Sequence, residues 1–483
     1  MTPTPAPAIS RESPRVRADG ARVVAAVALL LAAHGLLVGY SATLHSPTYN
    51  EPGHLVAGLT QWTFGRFEVY RVNPPLVHYA AALPVMLAGH REVWDQFYEA
   101  PGARPELPMG YAFLRANGPR SAWLITLSRW GCLPFTLIGG LICFVWSRDL
   151  WGGPSAGLVS LTLWCFEPFL MGHAELITND CAATSLGLGA GYFLWRWLRN
   201  STWWRAAAAG AALGLALLSK STWLVLLVLW PVLWLVWTEA GRRLTRGAGR
   251  TRSPAPCAAQ FAALLILAVY VLNLGYLFDG TLTRLGDYSF TSRALAGPGK
   301  PGHIGNRFRG TWFENVPVPL PHSYVIGIDI QKKDFETLSE PSFLLGEWKS
   351  GGWWYYYLYG LLAKTSVGLQ VLVLFGILSI ICRERRNGDV GRSLERPSGD
   401  VASPRHRPRA GFWIGGAGFL DLAVLAAHGA IVLVLVSSQT QFNHHVRYAL
   451  PVLGFAMVFA GASAWPFESD EGMSRGPGTV GAG

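Results

Sequence analysis

Charge is scarce in this chain. Only 14% of its 483 residues are Asp, Glu, Lys or Arg, while 51% are hydrophobic; an ordinary soluble domain carries about 25% charged residues. That shortage argues against a soluble globule, and the apolar residues stand in long blocks, as lipid-facing helices require. Cysteine is sparse too, with six residues and no C-x-x-C spacing, which indicates neither a zinc site nor a disulfide framework. Cys132, Cys143, Cys165 and Cys181 lie in or at the ends of apolar runs and Cys257 and Cys382 at the edges of two others, where they read as packing residues. No G-x-x-x-x-G-K-[ST] occurs, which argues against a nucleotide-driven pump. There is no H-E-x-x-H for a zinc protease, and no D-x-D in the segments that read as outer loops to hold a nucleotide-sugar through a metal.

What the chain does have is about ten membrane-length runs, at 22–41, 121–146, 155–172, 180–198, 203–219, 221–238, 259–278, 364–382, 417–436 and 446–464. Its net charge of +11 sits largely in short loops: Arg11, Arg15, Arg17 and Arg22 before and at the start of the first run, Arg242 to Arg252 after the sixth, and Arg383 to Arg409 after the eighth. Placing these loops in the cytoplasm satisfies the positive-inside rule and puts both termini inside. Topology therefore accounts for the basic residues without a nucleic-acid partner. The expected organisation is a disordered cytoplasmic tail at 1–21, a transmembrane domain at 22–465 with a polar, disordered cytoplasmic loop at 383–411, and a second disordered tail at 466–483. Two long outer segments, 42–120 and 279–355, are rich in Trp, Tyr, Pro and Gly and read as a cap. Within the first, Pro74 to Gly89 is apolar but short and Pro-rich, so it reads as an interfacial helix.

Several polar residues collect on the outer side. Glu51, in Tyr49-Asn50-Glu51-Pro52-Gly53-His54, lies about ten residues past the first span. It is either a substrate-handling carboxylate or an acid at a helix start, where Pro52 suits the first turn. Asp180 follows His173 and Glu175 in a short loop and opens the next run; it is either functional or a helix cap, and the two roles can coexist. Lys220, Lys364 and Arg447 each stand alone at an outer helix end. One such cation snorkels to lipid headgroups; three facing two carboxylate loops form a pocket for an anionic, membrane-embedded ligand.

Taken in order, these residues resemble the GT-C membrane glycosyltransferases, in particular the protein O-mannosyltransferases and the lipid A aminoarabinose transferase. The resemblance rests on Asn50-Glu51-Pro52, Asn73-Pro74-Pro75-Leu76, Asp180 behind Pro168 and Gly172-His173, Gly214 to Lys220, Gly352-Trp353-Trp354-Tyr355-Tyr356 with Lys364-Thr365, and Val446-Arg447-Tyr448-Ala449-Leu450-Pro451. It implies an all-α polytopic membrane protein, a GT-C-like bundle of about ten transmembrane helices under a partly helical cap, in a bacterial inner membrane with the active site facing the periplasm. It also implies an inverting transfer of a sugar from a polyprenyl-phosphate carrier to a hydroxyl of an unidentified protein, lipid or glycan acceptor. In that family an Asp precedes the Glu; here Asn50 stands, and an amide does not accept a proton near neutral pH. Either the role of base has moved to Glu51 or a nearby carboxylate such as Glu175, or the chemistry is lost. Asp180 would position acceptor or carrier, and Lys220, Lys364 and Arg447 would hold the carrier phosphate. His54, His173, His444 and His445 are candidates for acceptor or supporting contacts. No cofactor is required, and a divalent ion held by His173, His444 and His445 is left open. A non-catalytic lipid-binding relative or a polytopic transporter accounts equally for the spans and outer acids, but less well for the two long outer segments.

Overall fold

The computed structural model describes residues 14–246, 257–300, 302–337, 341–393, 413–414, 417–438, 443 and 445–467. Helix α1 (Pro14–Leu44) leads into three shorter helices, α2 (Glu51–Phe64), α3 (Leu76–Ala88) and α4 (Glu106–Asn117), and then the long α5 (Ser121–Trp151). Next come α6 (Pro154–Phe166), α7 (Pro168–Ala174), α8 (Asn179–Arg199), α9 (Trp203–Ser219), a 3-10 turn at Ser221–Val225, α10 (Leu226–Arg246) and α11 (Ala258–Gly275). An irregular stretch carries α12 (Arg293–Ala296), α13 (His322–Thr337) and a hairpin of β1 (Ser342–Leu344) and β2 (Glu347–Lys349), with Phe343 opposite Trp348. The chain closes with α14 (Tyr356–Lys364), α15 (Val367–Ser393), a short pair β3 (Trp413–Ile414) and β4 (Ala417–Gly418), α16 (Phe419–Ser438), a 3-10 turn at Val446–Ala449, α17 (Leu450–Ala460) and a last 3-10 turn at Gly461–Phe467. Proline and glycine punctuate it. Proline opens α2, α6, α7 and α17, where a missing N–H goes unnoticed. Gly65 and Gly152, at φ 63° and 93°, end α2 and α5 in the left-handed region.

The chain is an integral membrane protein by length and composition. Among the described residues six helices are long and apolar enough to cross a bilayer, or eight if each of two bent pairs counts as one. That is fewer than the ten expected. All ten stretches are helical, and the shortfall is α8 and α9. Helix α9 has 17 residues, and α8 is buried along nearly all of its 21. A helix wrapped by protein needs small and polar side chains for close neighbours rather than lipid-facing bulk, so its hydropathy understates its depth. The other differences lie at the ends. Residues 14–21, expected to be disordered, extend α1, because no proline follows Pro14 within the helix and Gly20 alone does not end it. Likewise α15 runs into the expected loop as far as Ser393, and the last turn takes in 466–467. The rest of those expectations, at 1–13, 394–411 and 468–483, lies outside the described residues.

The bent pairs are stitched to each other. Helices α6 and α7 meet at 61° about Glu167, and α14 and α15 at 107° about Thr365 and Ser366. Glu167 accepts from the Ser366 amide at 3.0 Å and from its hydroxyl at 2.6 Å. The two long loop segments also pack on one another as a cap. Arg104 in the first donates to Asp334 on α13 at 2.5 Å, and Lys333 to the Gly102 carbonyl at 3.3 Å. Gly327 of α13 sits so close to the first segment that a Cβ there would lie 1.9 Å from the Arg71 carbonyl oxygen.

Tryptophan fills the bundle. Trp146, Trp164, Trp195, Trp197, Trp223 and Trp230 are fully buried, and glycines make room for Trp146, Trp164 and Trp223. A Cβ at Gly187 would fall 1.8 Å from the Trp223 ring, whose indole N–H donates to the Ala183 carbonyl at 3.0 Å. Gly187→Ala must therefore displace Trp223. It is expected to lower the stability of the purified protein by about 1–3 kcal/mol, read from thermal unfolding in detergent; an unchanged midpoint would contradict this packing.

Candidate active site

Two acids dominate the cap side of the bundle, and their surroundings are opposite. Glu51, in the first turn of α2, is 0% exposed, and Arg129, inside α5, is 1% exposed. Arg129 donates from Nε to Glu51 Oε1 at 2.8 Å and from Nη2 to Oε2 at 2.7 Å. Its other donors reach the carbonyls of Ala42 (2.9 Å), His45 (2.7 Å) and Ser46 (3.0 Å), so all five guanidinium N–H groups are used. Glu51 is equally full: Oε1 also accepts from the Ile177 amide at 3.0 Å and Oε2 from the Thr48 amide at 2.7 Å. Burial raises the Glu51 carboxyl, but the hydrogen bond and charge of Arg129, with the two amides, outweigh it and hold the group below its ordinary 4.5. With no exposed oxygen and no spare lone pair, Glu51 cannot receive a hydroxyl proton where it stands. The expectation of Glu51 as base is corrected on that ground. Its place is to hold the end of α1, α5 and the α7–α8 loop in one knot.

Asp180 sits three residues beyond Ile177, in the first turn of α8. Its Oδ1 meets Lys220 Nζ at 2.5 Å, and its Oδ2 lies 3.6 Å from Arg447 Nε. The neighbouring Asn179 sets this arrangement, donating from Nδ2 to the Ser219 carbonyl at 2.6 Å and the Pro74 carbonyl at 3.3 Å. One side chain thus ties the start of α8 to the ends of α9 and of the Asn73-Pro74-Pro75 segment. Tyr448 floors the pair, with Lys220 Nζ 5.0 Å and the Arg447 guanidinium 5.8 Å from its ring centroid. His173 packs edge-on to Phe169 at 5.1 Å, and Lys364 lies 5.8 Å over the same ring, its ammonium at an exposed helix end. Around Asp180 cations outnumber carboxylates, which leaves room for an anion. Thr178 Oγ1, Asn179 Oδ1, His173 Nδ1 and Arg447 Nε are buried here and make no hydrogen bond among the described residues. Such a concentration of unsatisfied groups is a departure that a bound ligand or water would repair.

Lys220 and Tyr448 also line a cavity of about 450 Å³. From there its walls are mainly apolar, with Leu224 and Val225 after α9, Ile328 and Phe335 on α13, and Leu435 and Val436 on α16; Lys332 and Gln331 stand on the α13 side. A slot with a cationic end and a greasy body suits an amphiphile with an anionic head.

The remaining candidates lie elsewhere. Glu175 accepts from Ser41 and pairs with His45 Nδ1 at 3.1 Å, facing α1 rather than Asp180. Asn50 occupies the cap position of α2 without a side-chain cap bond. His54 is buried beside Tyr70 and His78. His445 is exposed, its ring centroid 5.9 Å from that of Tyr448, and His444 lies outside the described residues. Among the described residues no three His, Cys, Asp or Glu side chains gather closely enough to hold a metal ion. Sequence reasoning missed Arg129, Asn179 and the cap residues Arg104 and His78. Arg129 had a legible signal, a charge inside a membrane-length apolar run; the others had none.

No family model and no curated protein matches the chain. Among solved structures it is similar to ArnT from Cupriavidus metallidurans bound to undecaprenyl phosphate, at 14% identity and TM-score 0.43 over 92% of this chain and 61% of that one. It is also similar to the oligosaccharyltransferase AglB from Archaeoglobus fulgidus in complex with an inhibitory peptide and a dolichol-phosphate, at 12% identity and TM-score 0.45 over 91% and 50%. The chain thus spans about six tenths of the first protein and half of the second.

The Glu51 knot makes two linked predictions. Glu51→Gln leaves Arg129 buried without its counter-charge and is expected to cost about 3–5 kcal/mol of stability, read from thermal unfolding. Because the folded carboxyl is held below 4.5, its contribution is full above that pH and declines as pH falls through the depressed value. Glu51→Gln should therefore flatten the acid limb of the wild-type stability profile, and a profile of unchanged shape would refute the assignment.

Proposed function

We propose that this protein transfers a sugar from a polyprenyl-phosphate carrier to an acceptor hydroxyl, with inversion, at the periplasmic face of a bacterial inner membrane. The observation that carries the reading is Asp180 paired with Lys220 and Arg447, with Lys220 itself lining a mainly apolar cavity. The ordered motifs of the sequence support it independently. The carrier's isoprenoid tail would lie along Leu224, Val225, Leu435 and Val436, with its phosphate toward Lys220 and Arg447. The acceptor oxygen attacks the anomeric carbon, a new C–O bond forms, and the bond from that carbon to the phosphate oxygen breaks. The electron pair leaves on the lipid phosphate, where Lys220 and Arg447, with Lys364 further out, stabilise it. The hydroxyl proton passes to Asp180, which takes over the role that Glu51 is too enclosed to fill. As the phosphate draws Lys220 and Arg447 to itself, Asp180 loses part of its counter-charge and becomes the better base. Asn50, an amide, takes no proton.

One observation favours a second reading. Asp180 is held tightly, its Oδ1 2.5 Å from Lys220, as in a site that binds a lipid phosphate without turning it over. A transfer assay with labelled polyprenyl-phosphate sugars separates the two. Asp180→Asn is expected to reduce transfer about 10²- to 10⁴-fold, as loss of a general base does, while Lys220→Gln weakens binding of the carrier. Transfer unaffected by Asp180→Asn would overturn the assignment. An inactive wild type that still binds carrier, but gains turnover with Asn50→Asp, would establish the non-catalytic reading. The topology has its own test: a tag inserted beside Gly302 should be labelled from the periplasm by a membrane-impermeant reagent, and labelling only after lysis would reverse the orientation.

A further inference from the structure

On the two helices that follow the Glu51 knot, the cap holds a buried chain of polar side chains that the reaction above leaves unused. Gln61 and His54 lie on α2 and His78 on α3, and all are buried. The two helices approach closely at Gly58, where a Cβ would fall 2.1 Å from the His78 carbonyl oxygen, so the rings have little freedom to move apart. Gln61 Nε2 lies 3.2 Å from His78 Nδ1, and His78 Nε2 lies 3.0 Å from His54 Nδ1. Tyr70 closes the other side, its ring centroid 4.6 Å from that of His54 and stacked on His78 at 5.6 Å.

The order of donors and acceptors in this chain follows from hydrogen-bond chemistry. An amide nitrogen only donates, so His78 Nδ1 accepts and carries no proton. The proton of a neutral His78 is then on Nε2 and points at His54 Nδ1, which must accept in turn. The proton of His54 is left on Nε2, and that nitrogen has no hydrogen-bond partner among the described residues. Burial keeps both rings neutral: it pushes His54 down to about 3 and His78 well below its ordinary value. Glu51, three residues before His54 on α2, accepts from the amide of Ile177, three residues before Asp180, and Asn179 donates to the Pro74 carbonyl just ahead of α3, so both helices of the chain are tied to the start of α8.

We propose that Gln61 and His78 lock His54 as the neutral tautomer with its proton on Nε2, so that His54 presents one fixed N–H donor to a hydroxyl oxygen of the substrates beside Asp180. A hydroxyl whose oxygen accepts from His54 turns its own proton toward other acceptors, Asp180 among them. A neutral donor orients the hydroxyl without adding a second cation to compete for the carboxylate. His54 is a positioning residue in this scheme, which rests on the reading of Asp180 as the proton acceptor. The hydroxyl belongs either to the acceptor or to the sugar of the donor.

The lock is tested without any substrate. Nitrogen-15 spectra of the full-length protein labelled at histidine, with resonances assigned through His54→Gln and His78→Gln, should show both rings neutral and His54 protonated on Nε2. A proton on Nδ1 of His54, or a charged ring, would overturn the proposal; the first would mean that Gln61 Oε1 accepts and the chain runs in reverse. Gln61→Glu replaces the donor with an acceptor and is expected to move the His54 proton to Nδ1. An unmoved tautomer would show that Gln61 does not set the chain. In the transfer assay His54→Leu, which removes the donor, should raise one KM about tenfold with a smaller change in kcat, and His54→Gln, which restores an N–H nearby, should recover much of it. A raised KM for the acceptor identifies the acceptor hydroxyl, and a raised KM for the donor identifies the sugar. Unchanged constants for His54→Leu in an active enzyme sink this inference and leave the function standing. If wild type transfers no sugar, the function falls and the tautomer measurement still decides whether the lock exists.

Discussion

The buried pair of Glu51 and Arg129 is the constraint on which the cap side of this bundle depends. A carboxylate and a guanidinium taken fully out of water bring a desolvation cost of several kcal/mol for each ion, and mutual attraction offsets it only when the remaining donors and acceptors are satisfied. Here every one is. The partners they find lie at the end of α1, ahead of and within α2, in α5 and in the α7–α8 loop. None of these contacts is local in sequence except the Thr48 amide, so the pair converts four separate stretches into one fixed point. Since Ile177 is three residues from Asp180, the same knot places the second acid.

From that point the site is built by backbone capture. Asn179 reaches the last carbonyl of α9 and the carbonyl of Pro74, and each contact sits next to a residue that matters: Ser219 precedes Lys220, and Pro74 precedes the helix that carries His78. Glu167 does the same at the far side, joining two bends through Ser366. Short polar side chains holding main-chain groups are what a low-dielectric interior favours, because each satisfied carbonyl or amide there is worth more than it would be in water. The result is a site with rigid edges around a centre whose polar atoms are still unsatisfied.

Much of this was legible from residue order. The apolar runs, the short helix at 76–88, and the prominence of Asp180, Lys220 and Arg447 all follow from hydropathy and from ionisable groups at helix ends. The run that became α8 was legible as one of the ten, although its hydropathy is lowered by the alanine, glycine and polar residues that a helix surrounded by protein carries. The sequence could not tell the two acids apart. Glu51 and Asp180 both stand at helix starts past apolar runs, and what separates them is whether their partners are already full. That depends on Arg129, 78 residues from Glu51 along the chain, and on amides that carry no side-chain signature. Glu175 misled for the same reason: it lies within a few residues of Asp180, yet the chain turns and it faces Ser41 and His45 instead.

The contrast between the acids also indicates why one chain would keep both. An acid whose lone pairs are all occupied by buried donors has a fixed charge and a fixed position, and any exchange of partners would break the fold around it. Asp180 is different, since one of its cations, Lys220, lines a cavity and Arg447 Nε, at 3.6 Å, is close without a hydrogen bond among the described residues. In the transfer proposed above these cations would turn toward the carrier phosphate while the framework is held by the first acid. A phosphate entering the cavity would draw Lys220 and Arg447 away from the carboxylate, and the weaker their hold, the more readily Asp180 takes a proton. Binding of the leaving group and activation of the base would then be a single electrostatic event, and it requires a second, closed ion pair to keep the surrounding helices from moving with it.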